Sequence, residues 1–137
     1  MMDYPTDCFE LASNIDLDNK NWKPISGFRG EFEGAGYTIS NLYISRVDDN
    51  QGLFATIGGS AVIQNLNIKG VNINAGNWNN IGALVGAVGG AGVLINNINV
   101  TLTDDSQIVG NDCVGGIVGN YNPYGYYHPK FMNCHIS

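Results

Sequence analysis

The chain has 137 residues, 44 % of them hydrophobic and only 13 % charged, with 19 Gly, 19 Asn and a net charge of −6. That length gives a single domain with a modest core, and that hydrophobic fraction excludes a disordered segment. So few basic residues exclude direct binding to nucleic-acid phosphates, and no apolar run is long enough to span a membrane.

Gly and Asn are the residues that tolerate positive φ, so their even spread predicts many turns between short elements. No stretch carries a 3.6-residue apolar period, which makes the chain all-β. Residues 1–24 have neither the basic nor the apolar region of a secretory leader. Their apolar residues, Phe9, Leu11, Ile15, Leu17 and Trp22, suit an N-terminal cap. From there a six-residue phrase appears four times: "ISNLYI" at 39–44, "IQNLNI" at 63–68, "INNINV" at 95–100 and "FMNCHI" at 131–136. Its apolar residues step by three and then by two. A step of two keeps side chains on one face of a strand, whereas a step of three does so only if the chain turns a corner between them. The asparagines Asn41, Asn65, Asn97 and Asn133 stand at that corner, where Asn adopts the left-handed conformation. The spacings of 24, 32 and 36 residues between them are those of a solenoid. Stacked coils would bring the four amides into one column, bonding from coil to coil.

A second phrase alternates with the first: "GLF" at 52–54, "GALVG" at 82–86 and "GGIVG" at 115–119. Glycine on either side of a short apolar run marks a buried strand between tight turns. The segments "NAGNWNN" (74–80), "TDDSQ" (103–107) and "NYNPYGYYHPK" (120–130) then read as loops projecting from the stack. The expected fold is a small right-handed parallel β-helix of about four coils. Its single domain, 1–137, comprises the cap 1–24, coils over 25–119, and a tyrosine-rich loop with the last coil over 120–137.

"FRGEFEGAGYTISNLYI", followed by "QGLF", "IGALVG" and "VGGIVG", resembles the GLUG-type repeat of bacterial surface proteins. Ile15, Asp16, Leu17, Trp22, Pro24, Ile25, Phe28, Gly30, Phe32, Gly34, Gly36, Ile39, Asn41 and Leu42 stand at the places of that pattern. Glu33 replaces its usual Asp, and Ala55 replaces the Gly after "GLF". The resemblance runs from about Phe9 to Gly119. It implies the right-handed β-helix, as in adhesins and the non-catalytic regions of IgA-protease-like proteins, and it implies a scaffold with no catalytic residue.

The remaining chemistry is sparse. The carboxylates at Glu31, Glu33, Asp48, Asp49, Asp104, Asp105 and Asp112 stand in loops as a solvated acidic rim, where a catalytic pair needs buried, shifted acids. "DDNQG" lacks the alternating spacing of a calcium loop. Cys113, His128, Cys134 and His135 match no zinc module. The cysteines are odd in number, form no CxxC pair and make no disulfide framework. Cys134 takes the inward place of Leu66 and Ile98, and Cys113 is expected to be a similar small buried residue. No catalytic site, metal or cofactor is therefore expected. Tyr121, Tyr124, Tyr126 and Tyr127 form a loop suited either to cover the last coil or to bind a protein, since Tyr gives contact area at low entropy cost. Asp48, Asp49, Asp104 and Asp105 are the second candidate surface, if neighbouring coils bring their loops to one side.

The expected function is non-enzymatic protein binding. One reading is a stand-alone acidic inhibitor of a nucleic-acid-handling complex, encoded by a phage or mobile element and anti-CRISPR-like. The other is an adhesin-like module of a bacterial surface protein that binds a host glycan or protein. The expected location is cytoplasmic if the chain is complete, and the cell surface if it is part of an exported protein. No nucleic acid or membrane is a direct partner, and copies could associate through an open solenoid end.

Overall fold

The computed structural model describes residues 8–90, 92–121 and 130–137. Among these there is no helix, and every ladder between strands is parallel. The chain is a parallel β-solenoid that returns to the same wall once per turn. A short first turn holds β1 (Cys8–Glu10) and β2 (Ile15–Asp16). The second holds β3 (Glu31–Glu33), β4 (Thr38–Ser45) and β5 (Phe54–Ile57). The third holds β6 (Val62–Asn74), β7 (Asn79–Ile81) and β8 (Val85–Val88). The fourth holds β9 (Leu94–Thr101), β10 (Gln107–Val109), β11 (Asp112–Val114) and β12 (Val118–Tyr121). β13 (Lys130–Met132) and β14 (His135–Ile136) begin one more pass.

Corners at positive φ divide each turn into walls. β3 and the opening of β6 stack on β1, and β9 and β13 stack on them in turn, which aligns Phe9, Phe32, Ile63, Ile95 and Phe131 in one inward column. Past the corner, Ile15, Ile39, Ile68, Val100 and Ile136 form the next column. A third wall aligns Ile44 with Ile73 and Ile108, a fourth aligns Gln51 with Ile81 and Val114, and a fifth aligns Ile25, Phe54, Val85 and Val118. In the middle turns these columns are sealed: Ile63, Leu66, Ile68, Ile73, Ile81, Val85, Ile95 and Ile98 are all fully buried. Burial of side chains this size stabilises by about 1.5–3 kcal/mol each. Phe54 lies edge-on to Phe32 at 5.7 Å and tilted against Phe28 at 5.0 Å, filling the wide end of the section.

The four asparagines of the repeated phrase all sit at positive φ, between 51° and 60°. They do not form one column. β4 pairs with the second half of β6, Ile39 against Ile68 and Leu42 against Val71, so Asn41 is matched by Gly70, itself at φ 77°. "IQNLNIKGVNI" turns two corners in succession, and "ISNLYI" aligns with the second of them. The spacing of 24 between Asn41 and Asn65 therefore joins two different corners. The wall registers give the real turns, 31 residues from Glu31 to Val62 and 32 from Val62 to Leu94.

From Cys8 onward the N-terminal stretch is a shortened turn in register with the next. Two further expectations are corrected. The segments 74–80 and 103–107 are only partly loops: Asn79 opens β7 and Gln107 opens β10, and Asn79 and Asn80 are half-buried. Cys113 is exposed rather than buried. β11 pairs with β7, Asp112 opposite Asn79 and Val114 opposite Ile81, so Cys113 occupies the corner held one turn earlier by Asn80 and before that by Asn50. All three have positive φ, at 52°, 64° and 64°.

Candidate functional site

The corners are tied along the solenoid by side-chain amides. Asn97 Nδ2 donates to Asn65 Oδ1 at 2.9 Å, and Asn65 Nδ2 donates to Glu33 Oε1 at 2.9 Å. Asn133 continues this corner but donates to Asn96 Oδ1 at 3.3 Å. Asn41, on the next corner, donates instead to Asp16 Oδ1 at 2.8 Å. That bond and the Asp18 backbone N–H hold the Asp16 carboxyl below the usual carboxylate range. A second amide ladder that the repeated phrase gave no sign of runs Asn120 to Asn80 to Asn50, at 3.1 and 2.9 Å. Gly86 and Gly119 lie behind this corner. A Cβ on Gly86 would meet Asn80 O at 2.7 Å, and one on Gly119 would press on the Ile81 nitrogen. The glycines of the second phrase thus answer a close approach of backbone to backbone.

The two aspartate pairs stand at opposite ends of the third wall, Asp104 and Asp105 before it and Asp48 and Asp49 after it. Asp48 and Asp49 follow the third wall, where Asp49 Oδ1 accepts from the Asn79 N–H at 2.7 Å and the Asp48 carbonyl accepts from Gln51 Nε2 at 2.6 Å. Gln51 is buried at the start of the fourth column, which the short first turn does not extend, and its Oε1 has no partner among the described residues. Asp104 and Asp105 stand at the corner before the third wall, as the two central residues of the Thr103–Ser106 turn. There Asp105 lines an open groove of about 530 Å³ with Asn19, Asn41, Tyr43, Asn72 and Gln107. Gln107 Nε2 donates to Asn72 Oδ1 at 2.9 Å, which fixes the facing amides. Tyr43, Asn72 and Gln107 share one register row across three turns. Their outward alternation with Ile44, Ile73 and Ile108 is the signal in the sequence that could have found this groove.

Of the tyrosines, Tyr124, Tyr126 and Tyr127 lie outside the described residues, as does His128. Tyr121 ends β12, exposed, with its ring edge-on to Phe131 at 6.1 Å. The two rings line a depression of about 320 Å³ with Ile117, Val118 and Cys134 at the C-terminal end of the solenoid. Burial pushes the Cys134 thiol up, which suits a residue on the inward side of the last pass. The described residues hold no group of three or more His, Cys, Asp or Glu side chains placed for a metal ion.

No family model matches the chain, and no solved structure matches it. A protein named halomucin, from Haloquadratum walsbyi, is 39 % identical over 105 residues, which are 75 % of this chain and 1 % of that protein. A protein named a putative Gly-rich membrane protein, from Evansella cellulosilytica, is 34 % identical over 106 residues, 69 % of this chain and 12 % of its relative. The chain thus spans a small fraction of either relative's length.

Proposed function

We propose that the chain is a non-catalytic, adhesin-like module of a surface protein, a stiff solenoid that presents a polar groove to an extracellular glycan. The observation that carries this reading is the likeness to two much longer proteins, one bearing the name of a mucin and the other named as a membrane protein. The resemblance to the GLUG-type repeat of surface proteins supports the same location. The groove chemistry favours a glycan over a basic protein. Amides fixed in pairs, a carboxylate at Asp105 and a phenol at Tyr43 match the donors and acceptors of sugar hydroxyls. The separation of Asp48 and Asp49 from Asp104 and Asp105 weakens the case for a single acidic face mimicking nucleic acid, so the inhibitor reading stands second.

The test is binding of labelled protein to an array of immobilised neutral and acidic glycans, with the wild type, Asp105→Asn and Gln107→Ala. Retention of a glycan class by the wild type, reduced several-fold by either substitution, supports the reading. Absence of glycan binding, together with salt-sensitive capture of a protein that itself handles DNA or RNA, overturns it in favour of the inhibitor.

A further inference from the structure

The far end of the third wall carries exposed apolar surface that the core does not use. Val47 is 75 % exposed, and Trp78 and Val109 are each 41 % exposed. Val109 stands opposite Asn74, and Asn74 opposite Ser45, so these three make the last outward row of the wall. The corner that follows holds Val47 in one turn and Trp78 in the next. The Trp78 N–H donates to the Ala75 carbonyl at 3.0 Å, and its own carbonyl accepts from the Asn111 N–H at 2.8 Å. The Gly76 N–H, inside the same turn, donates to Asn74 Oδ1 at 3.2 Å. This turn is fixed at both ends, yet it leaves the indole uncovered. Trp22, by contrast, is half-buried, with its Nε1 donating to the Leu53 carbonyl at 3.0 Å.

Trp78 and Val47 line a depression of about 250 Å³ with Ser45, Arg46, Asn74 and Asn77. Arg46 Nε donates to the Trp22 carbonyl at 2.9 Å, and Nη2 to the Asn21 carbonyl at 3.5 Å. These bonds hold the guanidinium against the wall and occupy only part of its donor set. An aromatic side chain among a few fixed polar groups is the composition of a ligand site. A sugar ring suits it, because its C–H bonds are attracted to the negative face of an indole while its hydroxyls reach the polar rim.

The third wall joins this depression to the groove. Tyr43 and Ser45 are successive outward residues of β4, as Asn72 and Asn74 are of β6. The row in the groove and the last row are therefore about 7 Å apart along the strands. Ile44 and Ile73, between them, point inward and are fully buried, so no side chain stands in the way.

We propose, resting on the glycan reading of the groove, that the Trp78 depression is a second sugar subsite and that the ligand is a neutral glycan chain lying along the third wall from Asp105 to the indole. Charge selects the neutral class. Asp105 repels an acidic sugar at one end, and the net charge of −6 opposes the approach of a polyanion. Arg46 also borders a depression with Asp48 and Asp49, which offset its charge. Hydroxyls satisfy both ends, donating to Asp105 and accepting from Arg46.

The test measures the affinity of the full chain for gluco-, manno- and N-acetylglucosamine oligosaccharides, from disaccharide to hexasaccharide, and for oligogalacturonates of the same lengths. In a neutral series, affinity is expected to rise about tenfold with length. The hexasaccharide is expected to shift tryptophan emission to the blue. Trp78→Ala should flatten the rise and remove the shift, since the remaining Trp22 is already covered; Trp78→Phe should retain most of the rise. Val47→Glu changes the most exposed of these residues and should flatten the rise without touching the fold. Binding that Gln107→Ala weakens, but whose rise with length survives Trp78→Ala and Val47→Glu, overturns the second subsite and leaves the glycan reading standing. Tighter binding of the oligogalacturonates overturns the neutral class. Binding of none of the series overturns the subsite and the glycan reading together.

Discussion

Cys113 holds a corner in which its two predecessors along the solenoid, Asn50 and Asn80, are the residue type best suited to positive φ. A side chain other than Gly, Asn or Asp is strained there. Cys113→Asn should therefore stabilise the protein by about 0.5–1 kcal/mol, read as a higher denaturant midpoint at unchanged slope; a loss of stability would contradict the corner assignment. Asp16 illustrates how a charge enters the same kind of joint. Its carboxylate accepts from Asn41 Nδ2 and the Asp18 N–H, which depresses its folded pKa. The unfolded chain takes up this proton first as pH falls. The contribution of Asp16 is thus fully present above the ordinary carboxylate pKa of about 3.9 and is lost as pH drops through the lower folded value. Asp16→Asn should lower the melting temperature at pH 7, and the gap from wild type should shrink as the solution is acidified below that range. A gap that does not change with pH would show that the contribution is not electrostatic.

The corner ladder is the element that makes these residues a fold. Asn65 is its middle rung, donating to Glu33 and accepting from Asn97. Asn65→Leu leaves both neighbours without their partner and should cost about 1–3 kcal/mol. Asn77→Leu, on an exposed turn with no side-chain bond among those described, should stay within about 0.5 kcal/mol. Equal effects in chemical denaturation would contradict the ladder. Asn79 is no such control, since its Oδ1 accepts from Asn111 Nδ2. The step of three in each phrase revealed the corners, and glycine-bracketed runs revealed the inner strand, because both are constraints of local backbone geometry. Register was harder to read. "IQNLNIKGVNI" fits the phrase of Asn41 in two alignments five residues apart, and only the pairing of whole walls decides between them. The wall holding Gln51, Ile81 and Val114 left even less trace, since its inward residues are one amide and two aliphatics inside segments rich in Asn and Gly. The groove at Tyr43, Asn72 and Gln107 depends on that same register, so it could not be assembled from the loops.

At the scale of the molecule, a solenoid has no single centre. Each turn contacts only its neighbours, so stability is a sum of local terms and falls off where a neighbour is missing. β6 has β3 and β4 on one side and β9 on the other, and its inward residues are sealed. β13 and β14 pair only with β9 among the described residues, and all five of their residues are exposed. The last pass should therefore open well before the whole chain unfolds, as a unit of low local stability. Cys134, between these strands, reports on that opening: it is half-buried, with its Sγ 3.3 Å from the Met132 carbonyl, and burial keeps its thiol protonated. In dilute protein, Cys8 and Cys113, both exposed, should react with a thiol reagent at rates near those of a free peptide. Cys134 should react more slowly than either, yet faster than global unfolding allows, and with a weaker dependence on denaturant, because fraying exposes less surface than unfolding does. Labelling of Cys134 only through global unfolding would show that the terminal pass is as firmly held as the middle turns. Labelling as fast as that of Cys113 would remove Cys134 from the inward column altogether.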